Sequence, residues 1–121
     1  MGKLFITWEQ IQRNIEKINP DILRKYNNIY GIPRGGLIPA VLISHQFGIP
    51  LTLEPGENTL IIDDICDTGG TIQNMVLDTL CLYKRFNSQQ TPTYFIEEIY
   101  TEEWLVFPWE KHDSIEKQDY L

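Results

Sequence analysis

The sequence predicts an α/β fold, a mainly parallel sheet flanked by helices. Three observations lead there. Short apolar, β-branched runs alternate with segments of helical periodicity, the pattern of strands joined by right-handed crossovers. Two glycine-containing loops, at 33 to 36 and 67 to 71, each follow a predicted strand and precede a predicted helix. The apolar run Leu60-Ile61-Ile62 ends in Asp63-Asp64, with Asp67-Thr68-Gly69-Gly70-Thr71 behind it. In open parallel sheets ligands bind beyond the carboxyl ends of the strands. Both loops fall at such ends.

Along the chain, Thr7-Trp8-Glu9-Gln10 reads as a capping box, and Trp8, Ile11, Ile15 and Ile18 follow at helical spacing. This first helix is expected to end near Asn19-Pro20. Asn28 to Ile32 is short and partly β-branched, and Pro33-Arg34-Gly35-Gly36 follows, so it reads as a strand entering a glycine loop. Leu37 to Phe47 is apolar on most sides and stops at Gly48, which predicts a mostly buried helix with a glycine at its C′ position. Leu51-Thr52-Leu53 is a further short strand, Glu54-Pro55-Gly56-Glu57-Asn58 a turn by composition, and Thr59 to Ile62 the next strand. From Thr71 to Leu80, apolar Ile72, Met75, Val76 and Leu80 predict an amphipathic helix. Leu80 to Tyr83 and Tyr94 to Ile99 are strand candidates separated by a polar loop.

A chain of 121 residues fits one domain, 1–121, with no linker, repeat or low-complexity tract to divide it. The net charge of −7 argues against a sequence-independent grip on nucleic acid phosphates, so any bound anion must be held locally. No apolar run approaches membrane-spanning length, and the first residues do not read as a signal peptide. A cytoplasmic protein is expected. Cys66 and Cys81 stand apart in different predicted elements and read as small buried hydrophobes. His45 and His112 have no partners at metal-ligand spacing and read as structural or solvated.

The two loops carry the chemistry. Asp67 to Thr71 offers successive backbone N–H groups, unobstructed at Gly69 and Gly70, with the hydroxyls of Thr68 and Thr71, at the positive end of the predicted helix. That arrangement can cradle a phosphate. Asp63 and Asp64 are adjacent and repel each other, an unfavourable end for a buried strand unless a polyhydroxyl ligand or hydrated Mg²⁺ uses them.

LIIDDICDTGGT, Leu60 to Thr71, resembles the phosphoribosyl-diphosphate signature of type I phosphoribosyltransferases. GIPRGGLIPA, Gly31 to Ala40, resembles the pyrophosphate loop of the bacterial xanthine-guanine branch, in which the peptide matching Pro33–Arg34 is commonly cis. Tyr83-Lys84-Arg85 and the later run from Glu102 to Glu110 resemble that branch more weakly. The resemblance implies a Rossmann-like sheet with a small C-terminal hood contributed by about 84–110. It also implies transfer of 5-phosphoribosyl from phosphoribosyl diphosphate to a purine base, a 6-oxopurine by the match at Lys84, yielding a nucleoside monophosphate and pyrophosphate.

By the same resemblance, Arg34, Gly35 and Gly36 would hold pyrophosphate, with Arg34 assisting its departure. Asp63 and Asp64 would fix the ribose hydroxyls and hydrated Mg²⁺. Thr68, Gly69, Gly70 and Thr71 would hold the 5′-phosphate, and Asp67 would be the general base toward the purine N7. Lys84 would read the exocyclic oxygen and Trp104 would stack on the base. Family members are commonly dimers or tetramers, so a homo-oligomer is expected. One departure stands out: these enzymes usually carry a long mobile loop before the signature strand, and here only residues 54 to 58 occupy that place. A five-residue turn cannot form a lid. A nucleotide-binding regulatory module that has lost transfer is the alternative reading.

Overall fold

The computed structural model describes residues 2–67 and 76–111. Its first helix, α1 (Trp8–Glu16), starts as the capping box requires: the Gln10 amide donates to Thr7 Oγ1 at 3.1 Å, and the Thr7 amide donates to Gln10 Oε1 at 2.8 Å. Ile11 and Ile15 form its buried stripe. A short helix, α2 (Pro20–Leu23), follows where only a helix end was expected. α1 itself stops at Glu16, short of the Asn19-Pro20 pair expected to end it; Asn19 instead caps α2, and Pro20 supplies a preset φ at its first position.

β2 (Asn28–Gly31), β3 (Thr59–Cys66), β4 (Thr79–Arg85) and β5 (Tyr94–Ile99) form a four-stranded sheet in that order, every neighbouring pair parallel. The helix α3 (Leu37–Phe47) connects β2 toward β3 and ends at Gly48, whose φ of 72° is the left-handed conformation glycine adopts without penalty. It is less enclosed than expected. Pro39, Ala40 and Ile43 face the core, whereas Leu37 and Val41 are 42% and 47% exposed and His45 is exposed. The expected strand at Leu51–Leu53 reduces to a single parallel bridge between Leu51 and Ile29.

Two strand boundaries differ from expectation. β3 continues through both aspartates to Cys66, because its register with β4 persists: Asp63 lies opposite Cys81 and Cys66 opposite Lys84. The predicted helix does not reach Leu80. Residues 76 to 78 are irregular, the Asp78 carbonyl accepts from the Ile61 amide at 2.9 Å, and β4 begins at Thr79. A continuous buried run such as Thr79 to Tyr83 satisfies a helix pattern and a doubly covered strand equally, and pairing with β3 decides between them. The part of that helix at 71–75 lies outside the described residues, as does His112.

Two strands were not foreseen. β1 (Lys3–Phe5) and β6 (Trp104–Val106) pair in parallel as a separate two-stranded sheet, with Lys3 opposite Trp104. Three residues are too few to show a period. The core lies between these layers: Ile29, Leu60, Ile62, Leu80 and Leu82 of the main sheet are fully buried, packed with Ile11 and Ile15 of α1 and Ile43 of α3. Phe107 joins them, its ring 5.8 Å from Tyr83 and stacked 5.1 Å from Trp109. Both cysteines are buried and free, as expected.

Candidate active site

Because all four main strands run the same way, their carboxyl ends meet on one side: Gly31, Cys66, Arg85 and Ile99. The loop after β2 folds tightly onto β3. The Ile32 amide donates to the Ile62 carbonyl at 3.0 Å, and the Gly36 amide to the Ile32 carbonyl at 2.8 Å. Within the loop the Pro33–Arg34 peptide is cis, as the sequence resemblance implied. Arg34 is exposed, and the first turn of α3 behind it has no side-chain cap, since Gly36 holds that position. The first N–H of that turn, at Leu37, donates to the Arg34 carbonyl at 3.2 Å, and Pro39 carries none.

Gly35 and Gly36 are small because there is no room for more. A methyl group on Gly35 would lie 2.3 Å from Asp64 Oδ2, and one on Gly36 would lie 2.2 Å from the Ile62 carbonyl oxygen. The pyrophosphate-loop candidate is therefore seated directly on Asp64, one of the two adjacent acids. Asp63 and Asp64 are 8% and 5% exposed and project from successive strand positions, so they face opposite sides of the sheet. Each accepts from the next backbone amide: Asp64 N to Asp63 Oδ1 at 2.9 Å, and Ile65 N to Asp64 Oδ1 at 2.7 Å. Their field reaches the neighbouring strand. Burial pushes the Cys81 thiol well up, and Asp63, Cys66 and Asp64 push it further.

Asp67 follows the last residue of β3. Its Oδ1 accepts from Arg85 Nε at 2.5 Å, and the same guanidinium donates to the carbonyls of Thr101 at 2.6 Å and Glu103 at 2.7 Å. Sequence reading passed over Arg85. The available signal was a second cation directly after Lys84 at the end of an otherwise apolar strand. Lys84 itself is 5% exposed, with Nζ 2.9 Å from the Arg85 carbonyl oxygen and 3.3 Å from Glu98 Oε2. Tyr100, donating to Glu98 Oε1 at 2.8 Å, and then Lys84 lower the Glu98 carboxyl below its usual range.

Trp104 opens β6 and is half-buried, its indole N–H enclosed without a hydrogen-bond partner. It is joined to Asp67 through Arg85, which grips the carbonyl of Glu103, the residue before it. Trp109 is a packing element, stacked on Phe107 and tilted against Trp8 at 5.8 Å. Thr68, Gly69, Gly70 and Thr71 lie outside the described residues. Either carboxylate, Asp63 or Asp64, is a donor that Mg²⁺ accepts, since this hard cation takes one or two carboxylates and completes its shell with water and phosphate oxygens; no group of three or more His, Cys, Asp or Glu gathers among the described residues.

The short connection before β3 is placed away from this side. The Gly56 amide donates to Thr59 Oγ1 at 2.8 Å, Thr59 Oγ1 donates to Asn28 Oδ1 at 2.6 Å, and the Asn58 carbonyl accepts from Asn27. All these partners sit at the amino ends of β2 and β3, so residues 54 to 58 do not reach over the site.

No family-level profile matches the chain. Individual proteins do. A xanthine-guanine phosphoribosyltransferase of Nitratidesulfovibrio vulgaris is 31% identical over 135 aligned positions, covering 87% of this chain and 83% of that protein. The aligned stretch is longer than this chain of 121 residues, so that relative carries segments this chain lacks. A purine phosphoribosyltransferase from Pyrococcus horikoshii superposes with a TM-score of 0.77 at 33% identity, covering 96% of this chain and 99% of that one. The xanthine-guanine-hypoxanthine phosphoribosyltransferase of Helicobacter pylori shares the fold, with a TM-score of 0.73 at 12% identity and coverage of 89% and 94%. A parallel sheet delivering acids beneath a glycine loop, together with these matches over most of both chains, places the chain in the purine phosphoribosyltransferase family of type I fold.

Proposed function

We propose that this chain transfers the 5-phosphoribosyl group of phosphoribosyl diphosphate to a 6-oxopurine, releasing pyrophosphate. The observation that carries this reading is the seating of Gly35 on the Asp64 carboxylate, which joins a pyrophosphate loop to a sugar-binding acid pair. Departure of pyrophosphate from an anomeric carbon leaves positive charge on the ribose and negative charge on the leaving group. Catalysis is then largely electrostatic placement. Asp63 and Asp64, at the end of the strand, engage the ribose hydroxyls, Arg34 and the Gly35 amide receive the pyrophosphate while the Gly36 amide stays with the Ile32 carbonyl, and residues 68 to 71 hold the 5′-phosphate. Asp67 takes the proton from the purine N7, Lys84 donates to the 6-oxo group, and Trp104 covers the base. Mg²⁺ on Asp63 and Asp64, when bound, supplies neutralising charge to the pyrophosphate oxygens.

The test is pyrophosphate release with phosphoribosyl diphosphate and Mg²⁺ across guanine, xanthine, hypoxanthine, adenine, uracil and orotate. Release confined to the oxopurines is expected. Asp67→Asn should lower turnover by about 100-fold or more while nucleoside monophosphate binding persists. Release that no base accelerates, or equal rates for Asp67→Asn, would remove the assignment. The five-residue connection held at the amino ends favours one second reading, a nucleotide-binding module without transfer. It predicts thermal stabilisation by guanosine monophosphate and no pyrophosphate from any base.

A soluble intracellular setting suits such chemistry, and among the described residues no helix is long and apolar enough to cross a membrane. We infer a homo-oligomer, as the family resemblance implies. Light scattering in line with gel filtration tests this, and a monomer at all concentrations refutes it.

A further inference from the structure

We infer that Arg85 is a positioning residue that yokes Asp67 to the hood, so that arrival of a base beneath Trp104 sets the carboxylate that meets its N7. The inference rests on the transferase reading above. Arg85 ends β4, is 7% exposed, and makes three short bonds: to Asp67, to the Thr101 carbonyl and to the Glu103 carbonyl. The acceptors come from two segments far apart in sequence. One lies directly behind the acidic strand β3. The other is the connection between β5 and β6 that delivers Trp104.

A buried guanidinium tolerates its site only when its donors are satisfied, and here one carboxylate and two carbonyls do so in the fixed fork geometry that arginine alone provides. Lysine could meet one of the three partners at a time. The Arg85 main chain is held as well, its carbonyl accepting from Lys84 Nζ at 2.9 Å. Consecutive residues thus serve two sides of the base: Lys84 the 6-oxo edge, Arg85 the carboxylate on the imidazole side. Because Nε occupies Asp67 Oδ1, the guanidinium leaves Oδ2 as the oxygen to meet N7–H. Movement at 101–103 is transmitted to that oxygen through a single rigid plane.

The experiment is a double-mutant cycle on steady-state and single-turnover pyrophosphate release, using the full chain with guanine and Mg²⁺. Arg85→Lys should remain folded by circular dichroism, lose about 10- to 100-fold in kcat, and change KM for phosphoribosyl diphosphate by less than about threefold. In an Asp67→Asn background the same substitution should cost less than about twofold, because it acts only through Asp67. Wild-type kcat in Arg85→Lys, or the full loss persisting in Asp67→Asn, overturns the inference and leaves the transferase assignment standing. If neither Arg85→Lys nor Arg85→Gln folds, Arg85 is a structural strut and the inference is equally overturned. A wild-type chain that releases no pyrophosphate from any purine removes the assignment itself, and the positioning role with it.

Discussion

Replacing Gly35 or Gly36 by alanine adds the same methyl group at adjacent positions and should give opposite phenotypes. At Gly35 the new carbon would sit 2.3 Å from Asp64 Oδ2, 2.6 Å from its Cγ and 2.8 Å from Oδ1. That carboxylate is 5% exposed and pinned by the Ile65 amide, so it cannot swing away freely. Reaching ordinary contact at 3.4 Å requires about 1 Å of relative displacement between the loop and the acid. Misplacement on that scale costs roughly 100-fold in rate, while a local shift of an exposed loop costs about 1 kcal/mol of stability, or a few degrees in Tm. At Gly36 the carbon meets backbone instead: the Ile62 carbonyl oxygen at 2.2 Å, and Ile32 N and O at 2.8 and 2.9 Å. The Ile62 carbonyl accepts the 3.0 Å bond from Ile32, so the β2–β3 ladder must open. Overpacking against backbone should cost about 3 kcal/mol, lowering Tm by roughly 10 °C. Thermal melts and pyrophosphate release on both variants separate the two effects. Wild-type release by Gly35→Ala, or equal Tm losses for the pair, would refute the argument that Gly35 is small for Asp64 and Gly36 for the strand.

Two further outcomes follow from the same geometry. Burial, followed by the nearby Glu97 charge, pushes the Tyr83 hydroxyl from 10.0 up to about 12. The folded chain therefore keeps a proton the unfolded chain gives up, and the stability this supplies is complete below pH 10 and lost as pH rises toward 12. Tyr83→Phe should flatten that alkaline limb in urea melts between pH 9 and 12, with a residual slope from Tyr26, raised by burial and then by its bond to Asp78. An unchanged limb would show that Tyr83 ionises freely in the folded state. Since residues 54 to 58 are bonded at the amino ends of the strands, water has more access to the ribosyl centre than under a closed lid. Base-free turnover of phosphoribosyl diphosphate to ribose phosphate, followed by phosphorus NMR, should run at about 1% or more of the transfer rate; a lower value requires a cover from elsewhere, such as a second copy.

Much of the fold was legible because its signals are local. The capping box at Thr7 and Gln10, the left-handed stop at Gly48 and the glycine loop at 33 to 36 each depend on a few neighbouring residues, and each stands where the pattern put it. The acids at 63, 64 and 67 were equally visible, because carboxylates behind a buried β-branched run have few purely structural uses. What the linear chain could not specify was where elements yield to pairing. Thr79 and Leu80 fit a helix as well as a strand until β3 lies beside them, and β1 and β6 are too short to announce themselves without each other. Arg85 is the sharpest case. In sequence it is one cation next to another. Its acceptors lie 18 residues behind and 16 and 18 ahead, so only chain closure discloses that it binds the end of the acid strand to the segment before β6. Local sequence thus determined the chemical groups and the strand ends that bear them, while tertiary packing decided which groups touch, because contact across a sheet depends on register and approach distance that no short window contains.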